Sequence, residues 1–147
     1  MKTCTMLIFF AGHGEPIGHA AGFVASRAVG SVLAVEGGAE LPPEGTLQVP
    51  TRTVRFETAV MARGDQTWEA GRVEFPDIAS TLDVDTVIPG RVEMLTGGEV
   101  RGSISWRVTG GTGRFEGATG IVTGNFVGHP DGSFSDHQLF KLALPAD

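Results

Sequence analysis

Acid–base chemistry in a protein needs an ionisable side chain withdrawn from water and held beside groups that shape a substrate. Three residues are the candidates for that work: Glu69, Glu57 and His137. Glu69 follows Trp68 in the alternating stretch QTWEAGRVEF and is a lone carboxylate on the face opposite that tryptophan. If it points inward, burial raises its pKa and suits it to general-acid work. Glu57 stands two residues from Arg55, as Glu74 does from Arg72. On paired strands these four form a cross-strand charge network, and a solvated outer face is the favoured reading of it. Asp136 and His137 are neighbours, so on a strand they point to opposite faces and form no dyad with each other. One of the two faces the interior, and His137 shares its face with Leu139.

The candidate substrate-binding positions are Trp68, Trp106, Phe9, Phe56, Asn125 and His129. The tryptophans are the best shape-giving walls, though large aromatics on strands serve equally as plain core. His129 precedes Pro130 in His129-Pro130-Asp131-Gly132, a turn at the end of a strand pair. The four histidines show neither HxH nor HExxH spacing, and Cys4 stands alone, so no metal signature is present. No G-x-S-x-G elbow marks a serine hydrolase. The glycine-rich stretch GGTGRFEGATG, Gly110 to Gly120, invites a phosphate-cradle reading. That reading needs a helix after the glycines and a Lys-Ser or Lys-Thr pair. A strand follows instead, so the stretch is a reversal between strands, with Phe115 as the plug for the space the glycines leave.

The elements that must position these residues are strands. Thr3–Phe10 is the first, followed by a loop from Ala11 that holds at most one helical turn near Ala20–Arg27. Val29–Glu36 is the second, and Gly37–Gly45, with Pro42-Pro43, is a turn or exposed loop. In Val49–Ala62 the residues Val54, Phe56, Thr58 and Val60 share one face. Gln66–Phe75 pairs back on it after Arg63-Gly64-Asp65. Ile78–Ile88 is a strand, Pro89-Gly90 a turn, and Arg91–Leu95 a short strand. Val100–Val108 puts Ile104 and Trp106 on one face. Ile121–Gly128 and Phe134–Leu144 complete the chain, the last with Phe134, Asp136, Gln138, Phe140 and Leu142 on one side. About eight strands without a long amphipathic helix point to an antiparallel barrel or sandwich.

Length and composition agree. At 147 residues, with 22 glycines and 8 prolines, the chain suits one turn-rich β domain. A net charge of −6 argues against nucleic acid or an anionic membrane as partner. A single cysteine allows no intrachain disulfide and fits a reducing compartment. The apolar run Met6–Ala11 is short for a signal peptide, and no run reaches the ~18 residues of a membrane span. A soluble, cytoplasmic protein is expected.

With strands and glycine stretch in place, SISWRVTGGTGRFEGATG, Ser103 to Gly120, resembles the barrel superfamily of plant allene oxide cyclases and dirigent proteins. The cyclases carry Gly-Gly-x-Gly, then Phe-Glu-Gly-Ala, then Gly between two barrel strands; dirigent proteins share Gly-Gly-Thr-Gly-x-Phe. The match is specific over this hairpin and extends weakly through His129-Pro130 to the last strand. The resemblance implies an eight-stranded antiparallel, calycin-like barrel with a central hydrophobic cavity, assembled as a dimer or trimer. It also implies ring closure or guided coupling of an apolar substrate without metal or cofactor. Small bacterial barrels of this shape close rings in natural-product pathways, including spiro-forming cycloadditions. The plant cyclases carry a Glu and an Asn on the first strand, where this chain is apolar near Leu7 and Phe9, and a tyrosine before the proline near His129, where this chain has none. The expectation is therefore a cofactor-independent cyclase or isomerase for a hydrophobic, polyketide-like small molecule. A non-catalytic lipocalin- or dirigent-like binder, or a barrel packed solid, are the rivals. An inward ionisable group beside an aromatic in a cavity separates the first from the other two.

Overall fold

Period-two alternation of apolar and polar residues runs through the chain, and each such run forms a strand. The computed structural model describes residues 2–17, 22–37 and 53–146. The strands are β1 (Lys2–Pro16), β2 (Phe23–Gly37), β3 (Val54–Arg63), β4 (Gln66–Phe75), β5 (Ser80–Met94), β6 (Val100–Thr112), β7 (Thr119–Gly128) and β8 (Ser133–Leu144). Each pairs antiparallel with the next, and β1 closes on β8 from Lys2↔Leu144 to His13↔Ser133. The result is a closed eight-stranded antiparallel barrel, as the strand pattern and the resemblance both imply. No helix among the described residues is long and apolar enough to cross a membrane.

Several boundaries differ from the sequence expectation. β1 runs on to Pro16 where a loop was expected from Ala11, because it pairs with β2 as far as Val24, and β6 runs on to Thr112, paired with Thr81. The helical turn near Ala20–Arg27 does not form where it is described. β2 is already extended from Phe23, because Ser26 and Ala28 alternate into the barrel and the strand pairs on both sides. Pro89-Gly90 is not a turn: β5 continues through it as a bulge opposite β6, where an N–H-deficient proline is tolerated. The strand expected from Ile78 starts at Ser80, after a 3-10 turn over Pro76–Ile78. The expected start of β3 at Val49, and the loop with Pro42-Pro43, lie outside the described residues.

One end of the barrel is packed shut. Phe75, Phe115 and Phe140 are fully buried there with Leu82 and Val73. The Phe75 and Phe115 rings meet edge-on with centroids 4.8 Å apart. Phe115 ends a second 3-10 turn, Gly113–Phe115, that folds back under the barrel, and Gly113 takes φ of 61°, open to glycine at little cost. The glycine stretch thus delivers its aromatic as a plug. The opposite end, made by the ends of β1, β3, β5 and β7 and the starts of β2, β4, β6 and β8, is where the barrel opens.

Candidate functional site: a pocket with two buried carboxyls

A pocket of about 570 Å³ enters the barrel from that open end. Its walls are mainly apolar, with Phe56, Val60, Ile104, Phe126 and Phe134. Aromatic packing holds them: Phe56 stacks on Phe134 at 6.0 Å and meets Trp106 edge-on at 5.8 Å. Deep among these side chains stand the carboxyl groups of Glu69 and Asp136. No lysine or arginine is among the residues that line the pocket.

Glu69 is aimed inward by its strand. It lies in register with Val60 on β3, and Val60 faces the interior with Phe56 and Thr58. The register between β4 and β5 is broken between Thr67 and Ala70, so the Glu69 backbone has no regular ladder partner on that side. Thr86 replaces it: the Glu69 N–H donates to Thr86 Oγ1 at 2.7 Å, and that hydroxyl donates to the Glu69 carbonyl at 3.1 Å. The buried Thr58 hydroxyl donates to Glu69 Oε2 at 2.8 Å. The pocket mouth leaves part of the residue accessible, yet protein atoms crowd the carboxyl. Desolvation therefore raises its pKa, opposed by Thr58 and by the nearby Trp106 indole. The fully buried Trp106 N–H lies near the Glu69 carboxyl but has no acceptor in full hydrogen-bond geometry.

Asp136 enters from β8, between Phe10 of β1 and Phe126 of β7 in register. It is 3% exposed. The Gln138 amide donates to its Oδ2 at 2.8 Å, while Oδ1 has no protein partner. Gly124 makes room for that oxygen, since a Cβ there would come within 2.9 Å of Oδ1. Burial pushes the Asp136 pKa up to about 7; the Gln138 hydrogen bond lowers it and the Glu69 charge raises it further. The two carboxyls therefore lie within electrostatic reach of each other in one low-dielectric pocket. Each of the two is therefore harder to ionise than an exposed acid.

The mouth is built by the turn after β7. His13 Nε2 contacts the Asp131 carbonyl at 2.8 Å, and the Gly14 N–H donates to the Gly132 carbonyl at 2.9 Å, tying β1 to that turn. His129 lines the pocket entrance, its Nδ1 3.3 Å from Glu99 Oε1.

The candidates chosen from sequence divide by barrel face. Glu69, Trp106, Phe56 and His129 come together at the pocket. The others are corrected to the outer face by the strand period. Glu57 is exposed and paired with Arg27 at 3.2 Å. His137 is exposed, its ring 4.9 Å from that of Phe9, which also points outward. Asn125 pairs with His137 in register on that outer face, and Trp68 lies opposite Met61 outside the barrel. The charges around Glu57 form the solvated surface that was the favoured reading, with Arg72 bound to Asp83 at 2.7 Å. A wider depression of about 820 Å³ crosses this outer face beside Arg27, Glu57 and Arg72. Arg27 with Glu57 and Arg72 with Asp83 pair there as exposed side chains, so it lacks the desolvation of the inner pocket.

Sequence reasoning missed Asp136, Thr58 and Gln138 as site residues. The signal was present, because Asp136 and Gln138 alternate with Phe134, Phe140 and Leu142 on β8. Two polar residues on so apolar a face are interior polar groups, and interior polar groups need a reason. No three of the His, Cys, Asp and Glu side chains among the described residues cluster as a metal site. Comparison of the chain with protein-family models, with curated proteins and with solved structures found no match.

Proposed function

We propose that the chain is a cofactor-independent cyclase or isomerase, of the allene oxide cyclase-like kind that the Ser103–Gly120 hairpin resembles. It acts on a hydrophobic small molecule inside the barrel. The observation that carries this reading is the pair Glu69 and Asp136, buried together in an apolar pocket beside Trp106. A pure carrier of apolar ligands gains nothing from burying two acids, since each costs desolvation or a trapped proton. Catalysis does gain, because an acid near neutral pKa gives and takes protons efficiently. The aromatic walls add shape: holding a flexible chain in a near-reactive fold can lower a barrier by several kcal/mol.

The test is incubation with a panel of linear, polyunsaturated carbonyl compounds, followed by chromatography and mass spectrometry. A product of unchanged mass and altered retention is expected with the wild type, and its loss is expected in Asp136→Asn and Glu69→Leu. Unchanged retention across the panel, with the compounds nonetheless bound, would return the barrel to the carrier class.

A further inference from the structure

Three polar groups of the pocket are arranged for more than proton exchange. The Trp106 N–H is buried near the Glu69 carboxyl, with no acceptor in full hydrogen-bond geometry. The carboxyl beside it, Glu69, accepts from Thr58 at Oε2, and burial makes it, like Asp136, harder to ionise than an exposed acid. Across the pocket, Asp136 has Oδ2 tied to Gln138 and Oδ1 unpartnered. When the proton that these two coupled acids can share sits on Glu69, the indole and the carboxyl are neighbouring donors and Asp136 Oδ1 is a free acceptor.

Building on the cyclase reading, we infer that the pocket takes an enolisable carbonyl compound. Trp106 N–H and the Glu69 carboxyl hold its oxygen, and Asp136 Oδ1 removes a proton from the adjacent carbon. A buried unpaired N–H is costly unless a ligand satisfies it, and it asks for an acceptor such as a carbonyl oxygen. An ammonium ligand would match the two acids but would set its own N–H groups against the indole donor. Two preorganised donors on one oxygen stabilise charge that develops there, the arrangement that makes a carbon acid accessible near neutral pH. Gln138 and Gly124 are positioning residues: one occupies Oδ2, the other leaves Oδ1 its space.

The step balances within substrate and protein. The carbon–hydrogen bond breaks and its proton goes to Asp136 Oδ1. The electron pair forms the enolate carbon–carbon double bond, and the carbonyl π pair moves to oxygen, where hydrogen bonds from Trp106 and protonated Glu69 stabilise the charge without giving up their protons. The enol carbon then either takes the proton back at its conjugated far end, which is isomerisation, or attacks an electrophilic carbon of the same molecule. In the second case a ring bond forms, and the proton on Asp136 passes to the oxygen or carbon that accepted the pair. No mass changes and no oxidant is needed.

The test uses 2-tetralone, a small apolar ketone, in deuterated buffer, with 2-naphthol as a stable enol mimic. Deuterium uptake beside the carbonyl should exceed buffer by about 100-fold, the low end for a placed base, and 2-naphthol should bind and inhibit it. Asp136→Asn should return uptake to the buffer rate. Glu69→Gln, which keeps an N–H donor, should retain more activity than Asp136→Asn, and Trp106→Phe should slow uptake about tenfold. Because Trp106→Phe and Glu69→Gln leave the Asp136 side chain in place, they keep the assignment testable should Asp136→Asn fold poorly. Buffer-rate uptake by a wild type that binds 2-naphthol would overturn the enolisation inference and leave the cyclase reading to its polyene panel. A larger loss in Glu69→Gln than in folded Asp136→Asn would overturn the assignment of roles.

Discussion

Asp136 sets the pH behaviour of the whole chain. Its pKa stands at about 7 in the fold against an ordinary 3.8. Between those values the folded state holds a proton that the unfolded state has released. Stability contributed through this residue therefore falls as pH rises from about 4 to about 7, then stays at the lower level. The full difference is on the order of 4 kcal/mol for a group this buried. Glu69, also raised by desolvation, acts with the same sign. Urea unfolding at pH 5 and pH 8 should show the wild type losing stability with pH and Asp136→Asn losing much less; parallel loss in both would contradict the buried proton. Outer-face candidates behave otherwise. His137→Ala and Glu57→Gln should leave 2-naphthol binding unchanged and alter stability by less than about 0.5 kcal/mol, as exposed sites do. At this scale the sequence was half legible. Residue types announced acids and aromatics, but which face of a strand turns inward depends on its neighbours. Phe9 and His137 alternate as cleanly as Phe10 and Asp136, and only closure of the sheet decides between them.

Among the elements, the glycine stretch and the interrupted strand β5 do most to shape the site. The stretch carries Phe115 under the closed end, against Phe75. Removing that plug by Phe115→Ala should cost about 3–5 kcal/mol, since a buried aromatic leaves a cavity that rigid strands fill poorly; a loss below about 1 kcal/mol in thermal or urea melts would contradict the plug. On β7, Gly124→Ala brings a Cβ to 2.9 Å from both Asp136 Oδ1 and an Ile104 methylene carbon. It should lower stability by about 1–3 kcal/mol and displace the carboxyl; an unmoved Asp136 carbon resonance would count against that packing. Strand number, the turn at His129–Gly132 and the reversal at Gly110–Gly120 were legible, because alternation and glycine speak locally. The helical turn expected near Ala20–Arg27 and the turn expected at Pro89-Gly90 were overridden by pairing on both sides of β2 and by a bulge in β5. Local propensity cannot register such tertiary demands.

For the whole molecule, closure of β1 on β8 is the defining event. Every other pairing joins neighbours in sequence; this one joins the first and last strands and sets Asp136 in register with Phe10. Cys4 reports on it. The thiol is fully buried beside Leu142 in register, and desolvation raises its pKa to about 11. Labelling by a thiol reagent should then proceed only as fast as the seam opens, and rapid labelling of native protein would mean the seam is loose. The central claim rests on two acids sharing one buried site, and carbon-13 NMR titration of the Asp136 side-chain carboxyl reads it directly. The account predicts a midpoint near 7, lowered in Glu69→Gln by loss of the neighbouring charge. It also predicts a shift of this resonance when 2-naphthol fills the pocket. A midpoint near 3.8, indifferent to Glu69 and to the ligand, would contradict it.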